Sequence, residues 1–318
     1  MHLKPWLLGI CLLLAVLNCS HPSGRHYLEN EQYAEGLRVF QDILRQDPSN
    51  AAASYYMGRF YLAQEKPEQA MVYLQRATEL APREADYHFW QGVAYWAVME
   101  FEKERLSYQR ALALDKNHIP ALLYLAHNLL DEGAWKRALA QYDTVLQKDR
   151  HNPEALYNRG LALQQLDKPA EEIDAWKGYL KHYPDGRWAL RATDHLNGLG
   201  DFSYRNFAIG YRRVTLARIP FSPGSAELPS TGKPSLQVLG SILSINAKIE
   251  LEIWGYNKND LALATARAKA VRDYLLQNFP TIDPSRLEYR GQGDAEKVEI
   301  EDRTYRLNES ISFVTTNQ

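Results

Sequence analysis

From about residue 25 to residue 198, apolar positions recur at helical spacing, and the recurrence itself repeats. When Met57–Pro82 (MGRFYLAQEKPEQAMVYLQRATELAP) is set against Asn158–Pro184 (NRGLALQQLDKPAEEIDAWKGYLKHYP), Gly58 falls in the place of Gly92 and Gly160. Tyr61 matches Tyr95, with Leu129 and Leu163 in the same place, and Ala70 matches Ala138. Leu74, Tyr108, Tyr142 and Trp176 share a further position and Pro82 and Pro184 another, which sets a period of 34 residues. Small residues let two helices approach closely, the large side chains fill the gap, and proline stops one helix and starts the next. The pattern predicts four full helix pairs, at 51–84, 85–118, 119–152 and 153–186. A partial unit with Gly24 and Tyr27 in the expected places precedes them, and a capping helix follows over Trp188–Gly200. Lys116 and Arg150 stand where proline is expected in the second and third pairs.

After the array the period breaks. Residues 199–210 are expected to form a connector, and 211–318 a smaller mixed domain. Arg212–Phe221 reads as a strand and Phe221–Pro229 as a turn-rich loop. Lys233–Ile245 reads as a helix with Leu236, Leu239 and Leu243 on one stripe. Ile249–Ile253 alternates with period two, and Leu261–Phe279 is a second helix burying Ala264, Ala268, Val271 and Leu275. Ile282–Gly293 supplies a turn, a strand and a glycine loop, and Ser310–Val314 a last strand. Strands alternating with helices predict a small α/β sandwich with its helices on one face of the sheet.

Charge is nearly balanced, at −2, with 24% charged and 45% hydrophobic residues, which suits a soluble globular protein and leaves no basic footprint for nucleic acid. No apolar run approaches the roughly 18 residues that span a bilayer. The N-terminus reads as a targeting segment, with Lys4 ahead of the apolar stretch Trp6–Leu17, which stops at Asn18-Cys19-Ser20. Cys11 lies inside that stretch and Cys19 is the only other cysteine, so a chain starting at Cys19 would have no disulfide, as suits an oxidising compartment. Catalytic signals are missing: there is no phosphate loop, GxSxG, HExxH or available thiol. His127 and His195 have no partner at metal-ligand spacing. The expectation is a non-enzymatic protein without metal or cofactor.

The 34-residue period and its small and aromatic positions resemble the tetratricopeptide repeat family over about residues 22–186. In that family a single helical pair cannot bury its apolar face, so units stack around a shared core. The resemblance implies a helical solenoid, here residues 20–198 with the cap, whose groove binds other proteins. The groove positions map to Tyr55, Phe89, Leu123 and Tyr157, with Arg59, Trp96 and His127 nearby. These side chains either form an exposed apolar strip that takes an envelope protein or peptide, or pack against neighbouring helices or the cap.

Val16-Leu17-Asn18-Cys19 resembles a bacterial lipobox, although Asn18 replaces the usual small residue. The resemblance implies that residues 1–19 form a lipoprotein signal ending at a lipidated Cys19, with Ser20 directing the chain to the outer membrane, facing the periplasm. The alternatives are an uncleaved anchor or a secreted protein. IPFSPGSAEL (219–228), GYNKNDLALATARA (255–268) and SRLEYRGQG (285–293) resemble, in order, the motifs of the OmpA-like peptidoglycan-associated family. There a loop aspartate holds the ammonium of diaminopimelate in the wall peptide and a helix arginine its carboxylate, a grip suited to a planar guanidinium. Arg267 matches the arginine, while Asn257 and Asp260 lie in the loop and Lys258 stands where the aspartate is expected. Asp260 either takes over the acidic role or caps the helix. Arg267 either grips a ligand or pairs with a carboxylate such as Glu252 or Asp260. The loop is about six residues shorter than in the family, and Asn308-Glu309-Ser310 replaces Asn-Arg-Arg. Weak peptidoglycan binding through Arg267 is expected. The alternative is an envelope scaffold whose module has lost wall binding and docks protein.

Overall fold

The computed structural model describes residues 23–316. Cys19 and the targeting segment lie outside them. The chain divides into two compact units, one ending at Asn128 and the other starting at Leu129.

The first unit is helical: α1 (Gly24–Glu29), α2 (Tyr33–Gln46), α3 (Ala51–Ala63), α4 (Pro67–Leu80), α5 (Ala85–Ala97), α6 (Phe101–Leu114) and α7 (Ile119–Asp131), whose last turn belongs to the second unit. Local chemistry sets the helix starts. The Asn50 side chain accepts from the Ala53 N–H at the start of α3, and Pro67 opens α4, where its missing N–H is not needed. The small repeat positions act as expected. A Cβ on Gly58 would lie 2.4 Å from the Leu74 side chain, and one on Gly92 2.4 Å from the Tyr108 ring. Leu74 and Tyr108 are fully buried at these contacts.

A second periodic feature lies in the turns. Glu31, Glu65, Met99, Gly133 and Asp167, each 34 positions apart, all have positive φ, between 51° and 72°. Each turn closes its first helix with a backbone bond across six residues, such as Lys66 N–H to Tyr61 O and Glu100 N–H to Tyr95 O, both 2.9 Å. Only Gly133 is at ease in this conformation; the other four carry a Cβ into it.

The second unit continues with α8 (Trp135–Lys148), α9 (Pro153–Gln165), α10 (Pro169–His182) and α11 (Gly186–Gly198). The last of these packs on the pair before it: Ala189, Ala192 and Leu196 join Tyr157, Trp176 and Leu180 in one buried cluster. Directly after it, β1 (Tyr204–Ile209) and β2 (Arg212–Ala217) form an antiparallel hairpin that turns at Gly210, φ 59°. Half of the connector expected over 199–210 is therefore strand, because Phe207 and Ile209 alternate into the core. The Asn197 side chain donates to the carbonyls of Asp201 and Tyr204, 2.8 Å each, and joins α11 to this hairpin.

Beyond the hairpin follow α12 (Lys233–Ile245), β3 (Leu251–Asn257), α13 (Leu261–Asn278), β4 (Leu287–Gln292), β5 (Glu296–Ile300), β6 (Arg303–Leu307) and β7 (Glu309–Thr315). Strand β3 is central, parallel to β4 and antiparallel to β7. The stripe Leu236, Leu239, Leu243 and the face Ala264, Ala268, Val271, Leu275 are fully buried, as the periodicity predicts. Helix α13 lies on a pair of glycines in register, Gly255 and Gly291. A Cβ on Gly255 would lie 2.1 Å from the Ala264 carbonyl oxygen, and one on Gly291 2.0 Å from Thr265 Oγ1. The β5–β6 hairpin is an addition to the expected elements.

A Cβ on Gly160 would meet the buried Trp176 ring at 2.6 Å. Gly160→Val should therefore destabilise the second unit by about 1–3 kcal/mol through overpacking, read as a lower urea midpoint by Trp fluorescence.

Candidate functional site

Two places in the described residues bear on function, one in each unit. In the first unit, the C-terminal ends of α3 and α5 and the turns after them enclose an open groove of about 830 Å³. Leu62, Trp90, Val93, Trp96, Met99 and Phe101 line it. Trp96, Met99 and Phe101 are 56%, 75% and 57% exposed, a cluster of apolar surface rather than a scattered one. One cation faces the groove: the Arg59 guanidinium lies 3.5 Å from the centre of the Trp90 ring and donates to Tyr55 Oη at 2.7 Å. Burial pushes the Tyr55 hydroxyl up to about 12, so it remains a neutral acceptor for Arg59.

This groove corrects the expected strip. Tyr55, Phe89, Leu123 and Tyr157 are all buried. Tyr55 packs with Ala70, Leu74, Ala77 and Ala94, Phe89 with Tyr108, Ala111 and Ala121, and Tyr157 with Trp176, Tyr179 and Leu180. Tyr55, Phe89 and Tyr157 thus belong to the core between successive helices. Of the residues expected near the groove, Trp96 and Arg59 line it. Residues Trp90, Met99 and Phe101 were not anticipated. The signal for Met99 lay in the repeat: the corresponding turn positions carry Glu31, Glu65, Gly133 and Asp167, so methionine is the one apolar side chain in that series.

In the second unit, Arg267 projects from α13 and is 2% exposed. Its Nε donates to the Ser225 carbonyl at 2.8 Å, Nη2 to the Ser222 carbonyl at 2.9 Å, and Nη1 to Glu309 Oε2 at 2.9 Å. The Phe221 ring lies 5.0 Å from the guanidinium carbon. Arg218 Nη2 approaches the other Glu309 oxygen at 3.4 Å. The cavity left among Arg218, Phe221, Arg267 and Glu309 is about 10 Å³, room for one water at most. The carboxylate on Arg267 is thus Glu309, whereas Glu252 accepts from Trp254 and Arg290. Asp260 caps α13, accepting from the Leu263 N–H at 2.8 Å. Asn257 ends β3, its carbonyl taking the Asp260 N–H at 3.1 Å, and Lys258 is exposed with its N–H on the Asn308 carbonyl at 2.7 Å.

Residues 220–306 match the OmpA family, and residues 27–88, 61–119, 126–167 and 154–186 match tetratricopeptide repeat families. The chain carries tetratricopeptide repeats followed by an OmpA family domain. No curated protein matches the chain. Among solved structures, PilW, described as a widely conserved type IV pilus biogenesis factor, is similar with a TM-score of 0.50 at 15% identity, over 55% of this chain and 82% of that one. YrrB, described as a TPR protein with an unusual peptide-binding site, aligns with a TM-score of 0.45 at 22% identity, over 53% and 87% of the two chains. The pilF protein of Pseudomonas aeruginosa aligns with a TM-score of 0.43 at 24% identity, over 48% and 68%. At these identities the likeness concerns the repeat fold. No helix among the described residues is long and apolar enough to cross a membrane.

His127 stands near the Tyr124 ring, and burial lowers it from its usual 6.5 to about 4. The folded repeats reject a proton that the unfolded chain accepts. Stability should be full above about pH 6.5, fall as pH drops towards 4, and level off below, a loss on the order of 3 kcal/mol. Urea midpoints at pH 7.5 and 4.5 should show a smaller difference for His127→Leu than for the unaltered chain.

Proposed function

We propose that this protein is a non-enzymatic adaptor of the bacterial cell envelope: Cys19 carries the lipid that holds it at the outer membrane, the repeats recruit a protein partner, and the OmpA domain associates weakly with peptidoglycan. The observation that carries the recruiting role is the open apolar groove around Trp90, Trp96, Met99 and Phe101. Met99 strengthens it. A non-glycine residue in the left-handed region costs roughly 1–2 kcal/mol, and this one projects an apolar side chain into solvent from that backbone. The conformation itself belongs to the repeat turn, so what bears on binding is the apolar side chain it carries, where the other turns have Glu31, Glu65, Gly133 and Asp167.

The test separates binding from stability. Met99→Gly should leave stability unchanged or raise it by up to about 1 kcal/mol while weakening partner capture. Burying an aromatic side chain is worth roughly 1.5–3 kcal/mol, so Trp96→Ala should weaken the complex about tenfold or more. Cross-linking in intact cells, then titration of the captured partner against each variant, reads both effects. Unchanged affinity in both variants overturns the groove as the docking site.

Anchoring has its own test. Cys19→Ala should abolish incorporation of labelled fatty acid and move the protein from the membrane to the soluble fraction. Equal labelling of both chains would contradict it.

A second reading keeps the envelope role but gives the OmpA domain a protein-docking or structural part. It is favoured by the three partners that Arg267 already has within the chain.

A further inference from the structure

Glu309 is the first residue of β7 and lies between two arginines. Oε2 accepts from Arg267 Nη1 at 2.9 Å, and Oε1 lies 3.4 Å from Arg218 Nη2, which also reaches the Glu309 carbonyl at 3.2 Å. The exposures of the pair differ sharply: the Arg267 side chain is 3% exposed and that of Glu309 40%. A surface carboxylate therefore reaches inward and closes over a guanidinium that the protein otherwise seals. The other contacts of Arg267, the Ser222 and Ser225 carbonyls, satisfy hydrogen bonds but bring no net charge.

We propose that Glu309 is a resident carboxylate that occupies the anion seat of Arg218 and Arg267 and decides whether the OmpA domain accepts the carboxylate of a wall peptide. This rests on the reading that the domain associates with peptidoglycan. The seat has the chemistry for a carboxylate, with one guanidinium buried and one at the rim. It is filled, since the remaining cavity of about 10 Å³ admits no second carboxylate. Two carboxylates within contact distance also repel, so an external one binds only when Glu309 leaves. A tethered group competes at an effective concentration on the order of millimolar or above, which keeps a free ligand out until its own concentration or additional contacts exceed that. Glu309 can leave without unfolding the sheet: its backbone pairs with Asn257 on β3, Ser310 Oγ is held by Glu296 at 2.6 Å, and only the side chain must turn to solvent.

The experiment uses the full chain, unaltered and as Glu309→Ala, Glu309→Gln, and Glu309→Gln combined with Arg218→Ala. Free diaminopimelate is titrated by calorimetry, and isolated sacculi are tested by co-sedimentation. Both single variants should bind diaminopimelate at least tenfold more tightly than the unaltered chain, and the added Arg218→Ala should remove most of the gain. Diaminopimelate should raise the thermal midpoint of the single variants and not that of the unaltered chain. Glu309→Gln keeps an oxygen acceptor for Arg267, so it decides the matter if the alanine variant is too unstable to purify. No gain in a folded Glu309→Gln chain overturns the proposal, as does weaker binding, which would make Glu309 a ligand contact rather than an occupant. A gain for diaminopimelate without sacculus binding upholds the seat and rejects the wall reading. Sacculus binding by the unaltered chain that neither single variant changes upholds the wall reading and rejects the role of Glu309.

Discussion

The buried guanidinium of Arg267 is the contact on which the OmpA domain's arrangement depends. Removing such a charge from water costs several kcal/mol, and the cost is offset only when its donors are met with good geometry. Here two segments distant from α13 in the chain meet them: the loop at Ser222 and Ser225, and the start of β7. The loop is irregular, yet Ile219 and Phe221 beside it are core residues, and Arg267 fixes it over them. A more fully buried pair works next to this one. Arg205 grips Glu296 through two bonds of 2.8 and 2.9 Å, and Ser310 donates to the same carboxylate. Adjacent residues of a strand point to opposite faces, so Glu309 and Ser310 tie β7 into two different networks.

The repeats follow another logic. Their pairs close because glycine recurs where leucine, tyrosine or tryptophan of the second helix arrives, and the turn between helices recurs in a left-handed conformation. Within that regular frame the groove is a local departure. Trp96, Met99 and Phe101 occupy places where the preceding unit has Leu62, Glu65 and Pro67, and all six line the groove, the later three with larger apolar side chains. The repeat supplies the scaffold, and irregular residues at its turns supply the exposed apolar surface.

The two sites contrast in their readiness. The groove stands open with its apolar side chains turned to solvent, and its arginine stacks on Trp90 and donates to Tyr55. The arginine of the OmpA domain is closed in, its charge matched by Glu309. The groove is already open, whereas the seat at Arg267 is occupied by a group of the chain itself.

Much of the architecture was legible in the residues alone. The 34-residue period, the helix pairs, the capping helix and the buried stripes of α12 and α13 follow from periodicity, which is a local property of the chain. The role of Asp260 was legible for the same reason, since an N-cap bonds three residues ahead. Strand β2 was expected, but its partner β1 was hidden in the stretch expected as a connector, and the hairpin of β5 and β6 by short strands that bury few side chains. Tyr55, Phe89 and Tyr157 belong to the right repeat positions, but only the helices packed against them decide that those positions are core. The partner of Arg267 was likewise a tertiary outcome: Glu309 lies 42 residues away and arrives because β7 pairs antiparallel with β3. Sequence periodicity determines which face of an element is apolar; which side chain from another element meets it depends on how the elements are brought together, and here that decided both what is buried and what is already bound.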